Sequence, residues 1–493
     1  MKTPQTPLAA PARLSIIRLL RLAQLCTALG CVALACIAQP AKAAVTEAWV
    51  QRYDGPANSD DQPRAIAVDA SGNVAVTGTS FNGTNWDCYT AKYAAGNGAL
   101  VWEHRYNGLG NGHDYGYAVA VDTSGNVVVT GSSYSSSSTV EYYTVKYAAA
   151  DGAVLWEKHY NSPSGYAAAI ALALDSSGNV AVTGSSFAVG GNMNYYTAKC
   201  AAADSALLWE HRYNSPVDRN AYAKAVAIDS SGNVIVTGRS QFVAGRGQFY
   251  YTAKYAAADG RLLWEKRYNG PGNGNDKPGG VAVDSVGNVV VTGSAYDGLP
   301  PNNGYSSYMA KYAAANGALL WKKSDSAFTA STETERMPVV VDASGNVVVT
   351  GMVTGMSNGD YYTAKYAAAD GALLWEKRCN GPANGDDRVS SLALGPNGMV
   401  AVIGSSVGTS GNQDFATVVY WESLPAVSIA MVPEGVRLRF SGVPGRSYNI
   451  ERAPAATGPW SIIITSTAPL GGLIEFVDTN APAGPAFYRT SVP

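Results

Sequence analysis

Along most of the chain, apolar positions come in short runs of four to eight residues, interrupted by clusters of Gly, Asn, Asp and Ser. Runs of this length, bounded by turn formers, predict strands. Ala118-Val119-Ala120-Val121, with small and branched residues alternating, reads as a first strand. Asp122-Thr123-Ser124-Gly125-Asn126 reads as a tight turn and Val127-Val128-Val129-Thr130 as a second strand. Residues 142–147 and 154–160 make a third and a fourth. Between them lies Asp151-Gly152, matched elsewhere by Asn97-Gly98, Asp259-Gly260, Asn316-Gly317 and Asp370-Gly371. Such pairs predict two-residue type I′ hairpins, in which both central residues take positive φ.

This four-strand unit recurs. The Gly of the first turn returns at 72, 125, 178, 232, 287 and 345, with a worn copy at 398. The Tyr-Tyr-Thr-Ala-Lys-Tyr signature and the Leu-Leu-Trp-Glu-Lys-Arg-Tyr signature follow it, the latter carrying Trp102, Trp156, Trp209, Trp264, Trp321 and Trp375. Trp49 opens the repeat region in the same context, as a spare fourth strand at residues 49–53. Seven four-stranded units of about 54 residues predict an all-β fold, a seven-bladed β-propeller over residues 45–421, with a β-solenoid as the structural alternative.

Counting outward from each Asn-Gly or Asp-Gly turn places Lys92 opposite Glu103, Lys146 opposite Glu157, Lys199 opposite Glu210, Lys254 opposite Glu265 and Lys365 opposite Glu376. Cross-strand pairs of this kind contribute about 0.2–1 kcal/mol each. Lys311 then faces Lys322, which breaks the rule. In the seventh unit the Lys position is Val419, and the Glu position of the spare strand is Val50. The joint loss of charge predicts that strand 49–53 closes the ring on strand 415–420, with Val50 beside Val419.

The Asp-x-x-Gly-Asn-Val-x-Val-Thr-Gly motif with its Lys-Tyr and Leu-Leu-Trp companions resembles the bacterial SBBP-type β-propeller repeat. The stretch from Ala149 to Trp156 is also similar to the tryptophan-docking motif of pyrroloquinoline-quinone (PQQ)-type propellers. The resemblance implies that the Gly-x-x-x-Trp spacing of Gly98 and Trp102, or Gly152 and Trp156, stacks each Trp near its neighbouring blade; in the third copy Ser205 replaces the Gly. It also raises the possibility of a quinoprotein dehydrogenase. Those enzymes, as the resemblance implies, have eight blades, a calcium-bound quinone and often a vicinal disulfide, whereas this chain has seven repeats and no adjacent cysteines.

Residues 1–43 read as a secretory signal: Lys2, Arg13, Arg18 and Arg21 form a basic region, an apolar run spans 22–38, and Ala41-Lys42-Ala43 offers a cleavage site. A retained anchor and a lipoprotein attached through Cys36 are the alternatives. Cleavage removes Cys26, Cys31 and Cys36 and leaves Cys88, Cys200 and Cys379, each standing where other repeats carry Tyr, so inert buried thiols are expected. The chain is thus expected to be exported, with no membrane span after cleavage. Its formal charge of −2 over 493 residues argues against a dedicated nucleic-acid binder. Only 15% of residues are charged, and 46% are hydrophobic, which excludes intrinsic disorder.

Residues that repeat are read as packing, including the seven tryptophans. Candidate binding residues lie where the units differ, in loops from each fourth strand to the next first strand: Asp60 and Asp61, His113 and Asp114, Asp276, and Asp386 and Asp387. With loops such as 132–140 and 296–307 they are expected to share one rim. Their oxygens suit Ca²⁺, which takes roughly six to eight oxygen ligands, although Asp and Asn are equally ordinary turn formers. No cofactor is expected otherwise. No H-E-x-x-H, G-x-S-x-G or P-loop is present, and His104, His159 and His211 lie on fourth strands where other repeats carry Lys or Gln, or Arg in the case of His159. After Trp421 the composition shifts, and short apolar runs at 427–432, 436–440, 448–452, 460–465, 472–477 and 487–490 predict a small β-sandwich over 422–493. Ser447-Tyr448-Asn449-Ile450-Glu451-Arg452, Gly458-Pro459-Trp460 and the run from Phe476 to Pro482 resemble fibronectin type III-like C-terminal modules, which implies attachment, spacing or sorting. The leading expectation is a monomeric, exported, non-catalytic binding or scaffold protein offering its rim to a protein, peptide or glycan. The alternative is a quinoprotein-like or other propeller enzyme with residues scattered over several loops.

Overall fold

The computed structural model describes residues 45–493 except 109, 136–138, 161–164, 189–190, 218, 242–246, 299–304, 326–336, 354–359, 382–384, 396–398, 408–412, 423–427, 442–446, 456–457, 470–472, 483–485 and 492–493. The expected signal segment, with its cysteines and cleavage site, lies outside these residues. Every regular element among them is a strand, and the strands form the four-stranded antiparallel sheets of a β-propeller.

Among the described residues there are seven such sheets: sheet 1 (residues 61–106), sheet 2 (114–160), sheet 3 (167–213), sheet 4 (221–268), sheet 5 (277–325), sheet 6 (339–379) and sheet 7 (388–422), whose fourth strand is the segment Val45–Tyr53. The first strand of each sheet touches the first strand of the next, and that of sheet 7 touches that of sheet 1. Each sheet is covered on both faces, so its second strand is an unbroken apolar run rather than an alternating one. Val127, Val128 and Val129 are all fully buried. The core is accordingly divided into seven clusters, each shared by two adjacent sheets. Residues 428–491 form two three-stranded sheets around one separate core that includes Leu438, Phe440, Ile450 and Ile474.

The hairpin register differs from the expectation by one residue. Ala94 N–H donates to Ala99 C=O at 2.8 Å and Gly98 N–H to Ala94 C=O at 3.0 Å, so four residues span the turn and only Gly98 of the Asn-Gly pair has positive φ, at 70°. A bulge at Lys92/Tyr93 follows, which sets Lys92 opposite Trp102 and Ala91 opposite Glu103. The same bulge recurs in sheets 2 to 6. Because side chains alternate, a one-residue slip gives every Lys a different neighbour. Ring closure follows the same correction: Val45–Tyr53 does pair with Gln413–Glu422, but Trp49 faces Val419 and Val50 faces Val418.

The displaced lysines find acids in the first turn. Lys92 Nζ lies 3.1 Å from Asp69 Oδ2, and the equivalents Lys146–Asp122, Lys199–Asp175, Lys254–Asp229, Lys311–Asp284 and Lys365–Asp342 span 2.8–2.9 Å. Lys311 therefore breaks no rule. Each Asp also closes its own turn: Asp229 Oδ1 accepts from Ser231 N and Asn233 N at 2.9 Å, and Oδ2 accepts from Asn233 Nδ2 at 2.9 Å. Lys92 reaches further, donating to Gly125 C=O of the next sheet at 3.0 Å. In sheet 7 all three partners are replaced by apolar residues, with Gly395 at the Asp position, Met399 at the Asn position and Val419 at the Lys position.

Candidate functional site

The first strands enclose a central cavity of about 300 Å³, lined by residues from every one of the seven sheets. Ala65, Ala118, Ala171, Ala225, Gly280 and Val339 represent its wall, and Arg64, Tyr117, Lys224, Ser390 and Ser391 are its polar members. None of these lining residues is Asp, Glu, His or Cys. General acid–base and nucleophilic chemistry need titratable groups converging on one point. The described lining supplies Lys224 and Tyr117 as titratable groups, together with Arg64 and the hydroxyls of Ser390 and Ser391.

The rim residues fall into two sets. Asp61, Asp114, Asp276 and Asp387 are buried, at no more than 1% exposure, and face their own loops. Asp61 accepts from Gly55 N at 2.7 Å, Asp114 from Gly108 N at 2.7 Å, Asp276 from Gly270 N at 2.8 Å and Tyr296 N at 2.8 Å, and Asp387 from Gly381 N at 2.5 Å. Burial pushes all four carboxyls above the usual carboxylate value, Asp276 up to about 6; the hydroxyls of Ser80, Ser133 and Ser406 oppose the rise at Asp61, Asp114 and Asp387. These carboxylates hold the loop that carries them.

Asp60, His113 and Asp386 are exposed. His113 also bridges two sheets: Trp86 N–H donates to its Nδ1 at 3.2 Å. Asn220 and Asn275 do the same, each accepting from a backbone N–H on the preceding sheet, Met193 and Gln248, at 2.9 Å. Part of the expected rim, within 132–140 and 296–307, lies outside the described residues. Among the described residues no group of three or more His, Cys, Asp or Glu side chains is placed to hold a metal ion.

The repeated aromatics are packing groups. Trp49, Trp102, Trp156, Trp209, Trp264 and Trp321 each donate from Nε1 to an alanine carbonyl of the next sheet at 3.0–3.2 Å. The Gly of the hairpin turn makes room for them: a Cβ at Gly98 would lie 2.8 Å from Trp49 Cε3. Trp375 is 2% exposed within the core between sheets 6 and 7. His104 stacks on Tyr147 with centroids 4.9 Å apart, and His211 lies against Tyr255 at 4.5 Å, where burial lowers its pKa. His159 Nδ1 is 3.2 Å from Glu141. Cys88 is buried beside Thr77, and its thiol is pushed up to about 12 by burial.

One surface was not legible as a site. The leucines that precede each Trp point outward: Leu207 and Leu208 are 55% and 50% exposed, and Leu319 and Leu320 are each 51% exposed. The Leu-Leu-Trp run reads as one apolar block, but in a strand only its Trp turns to the neighbouring sheet.

Residues 141–381 match the family model described as outer membrane protein assembly factor BamB. No curated protein matches the chain. Solved structures with which the chain aligns include three of different description. BamB from Moraxella catarrhalis aligns with 12% identity over 73% of this chain and 85% of its own, with a TM-score of 0.40. Sqt1 from Chaetomium thermophilum, solved bound to the N-terminus of the ribosomal protein L10, aligns with 12% identity over 75% and 98%, at 0.43. Quinohemoprotein alcohol dehydrogenase ADHIIG from Pseudomonas putida HK5 aligns with 11% identity over 79% and 78%, at 0.43. No helix among the described residues is long and apolar enough to cross a membrane.

Proposed function

We propose that the chain is an exported, seven-bladed propeller that serves as a monomeric, non-catalytic binding or scaffold protein, with a C-terminal β-sandwich over 422–493 as a separate module. Its partner is a protein, peptide or glycan, held on the rim carrying Asp60, His113 and Asp386; it works outside the cell, at the cell surface or in the periplasm, and needs no resident cofactor. The observation that carries this reading is the central cavity, whose described lining is mostly Ala, Val, Leu, Ile and Gly, with Arg64, Tyr117, Lys224, Ser390 and Ser391 as its polar members and no carboxylate or imidazole. A seven-membered ring of sheets that spends its acids on its own loops and turns has few left for chemistry. The BamB-like repeats over 141–381 favour the same reading, since that family is described as an assembly factor.

The test is partner capture by the secreted protein, using cross-linking pulldown and a glycan array, with an Asp60→Arg/Asp386→Arg rim variant run in parallel. Capture by the native chain and its loss in the rim variant, at an unchanged melting midpoint, support the proposal. Dye-linked alcohol oxidation after addition of PQQ and Ca²⁺ would instead establish the enzyme reading. Melts in Ca²⁺ and in EGTA separate a structural cation from none: the expected midpoints are equal, because Asp61, Asp114, Asp276 and Asp387 are already engaged by backbone N–H groups.

A further inference from the structure

Six of the seven seams between sheets are filled in the same way. The last residue of the Tyr-Tyr-Thr-Ala-Lys-Tyr signature is a buried ring at Tyr93, Tyr147, Tyr255, Tyr312, Tyr366 and Tyr420, and Tyr93, Tyr147 and Tyr255 lie beside Trp49, Trp102 and Trp209 of the preceding sheet. The ring has three kinds of neighbour. The Trp is one, with Trp102 and Tyr147 centroids 5.8 Å apart. The residue two beyond the Trp is another: His104 stacks on Tyr147 at 4.9 Å, and Lys323 Nζ lies 4.9 Å from the Tyr366 centroid. In five of the six the third is the tyrosine four residues earlier, as where the hydroxyls of Tyr308 and Tyr312 meet at 3.4 Å; before Tyr420 that position is Ala416.

The seam between sheets 2 and 3 lacks the ring. Cys200 stands in its place and is half-buried, and the hairpin Gly beside it is Ser205, which keeps the turn at φ 57°. The result is a mainly apolar cavity of about 230 Å³, lined by Trp156, Lys158, Tyr196, Cys200, Ser205 and Leu207 among others. Every group that meets the phenol in the other seams is still present. Trp156 retains its hydrogen bond to Ala202 C=O at 3.2 Å, Lys158 holds the position of His104 and Lys323, and the Tyr196 hydroxyl donates to Glu210 Oε2 at 2.8 Å. Having donated, that hydroxyl has a lone pair with which to accept.

We propose that this seam is a binding site for a para-substituted phenol, either free or as the tyrosine side chain of a peptide. The ring would lie on the Trp156 indole with the Lys158 ammonium over its face, an arrangement that favours an aromatic over an alkane. Its hydroxyl would donate to the Tyr196 oxygen. Apolar cavities of about 150 Å³ in protein interiors take up benzene, so the available space is sufficient. The site is separate from the rim and stands whether or not the rim binds a partner.

Calorimetric titration of the full secreted chain with p-cresol, toluene and N-acetyl-tyrosinamide tests it. One p-cresol per chain is expected, bound several-fold more tightly than toluene. Cys200→Tyr fills the seam as the other six are filled and should abolish binding, and Tyr196→Phe should erase the preference for p-cresol over toluene while leaving toluene bound. Binding of p-cresol without N-acetyl-tyrosinamide assigns the site to a free phenol; binding of both assigns it to an exposed tyrosine as well. Absence of p-cresol binding, undiminished binding in Cys200→Tyr, or failure of Cys200→Tyr to fold would each overturn the proposal, the last because it would mean that the seam has no room for the ring.

Discussion

Asp229 and Lys254 sit 2.8 Å apart with side chains 4% and 6% exposed, and five other sheets repeat the pair. Replacing Lys254 with Met strands the carboxylate in the protein interior, and urea unfolding should show a loss of about 3–5 kcal/mol. Sheet 7 shows how to undo it: Asp229→Gly, Asn233→Met and Lys254→Val together reproduce Gly395, Met399 and Val419, and the triple variant should recover most of the loss. The acids also predict two opposite responses to pH. Burial alone would raise Asp122, Asp175, Asp229, Asp284 and Asp342, but the hydrogen bonds from Lys and Asn prevail and hold all five below the usual carboxylate value. Their stabilisation is present above the unfolded-state value, about pH 4, and is lost as pH falls through the lower folded values. Asp276, raised to about 6 by burial, has the opposite sign: the fold takes up a proton there between about pH 6 and 4, and this site's contribution rises. Urea midpoints at pH 7, 5 and 3 separate the two. Native protein should gain on Asp276→Asn between pH 7 and 5, and both should weaken between 5 and 3.

At the scale of the strand, closure depends on Val45–Tyr53 supplying the outer strand of sheet 7. Deleting residues 45–53 leaves Gln413–Glu422 as an unpaired edge and removes Trp49 from the core shared by sheets 7 and 1. The truncated protein should melt at a lower temperature and aggregate through that edge, and a synthetic peptide of residues 45–53 should restore the midpoint. The pairing was readable because a spare fourth strand stood at one end of the repeats and a missing one at the other. Its register was not. Asn97-Gly98 suggests a two-residue turn, but whether Asn97 joins Gly98 at positive φ is settled by the packing of Trp49 against Gly98 and by the Asp69–Lys92 pair, neither of which is local in sequence. At Ser205 the same turn is made by a residue with a Cβ at φ 57°. Ser205→Gly should therefore raise the unfolding free energy by about 1 kcal/mol in chemical denaturation.

Across the whole molecule the acids and the aromatics are spent on the scaffold, which is why so few charges serve so long a chain. Most of the rim carboxylates that read as ligands in the loops are fasteners in three dimensions, with Asp61, Asp114, Asp276 and Asp387 each turned back on a glycine N–H. Loop sequence cannot show which of two adjacent acids faces inward, because that depends on the sheet packed behind it. By itself the sequence determined the unit: four strands, their order and the strand that joins the two ends, all of which follow from local alternation and from turn residues at fixed offsets. The tertiary structure decided who meets whom. Lys92 pairs with Asp69 rather than Glu103, and the absent ring at Cys200 becomes a cavity, because both depend on a neighbouring strand or sheet whose register is fixed only when all the sheets pack together.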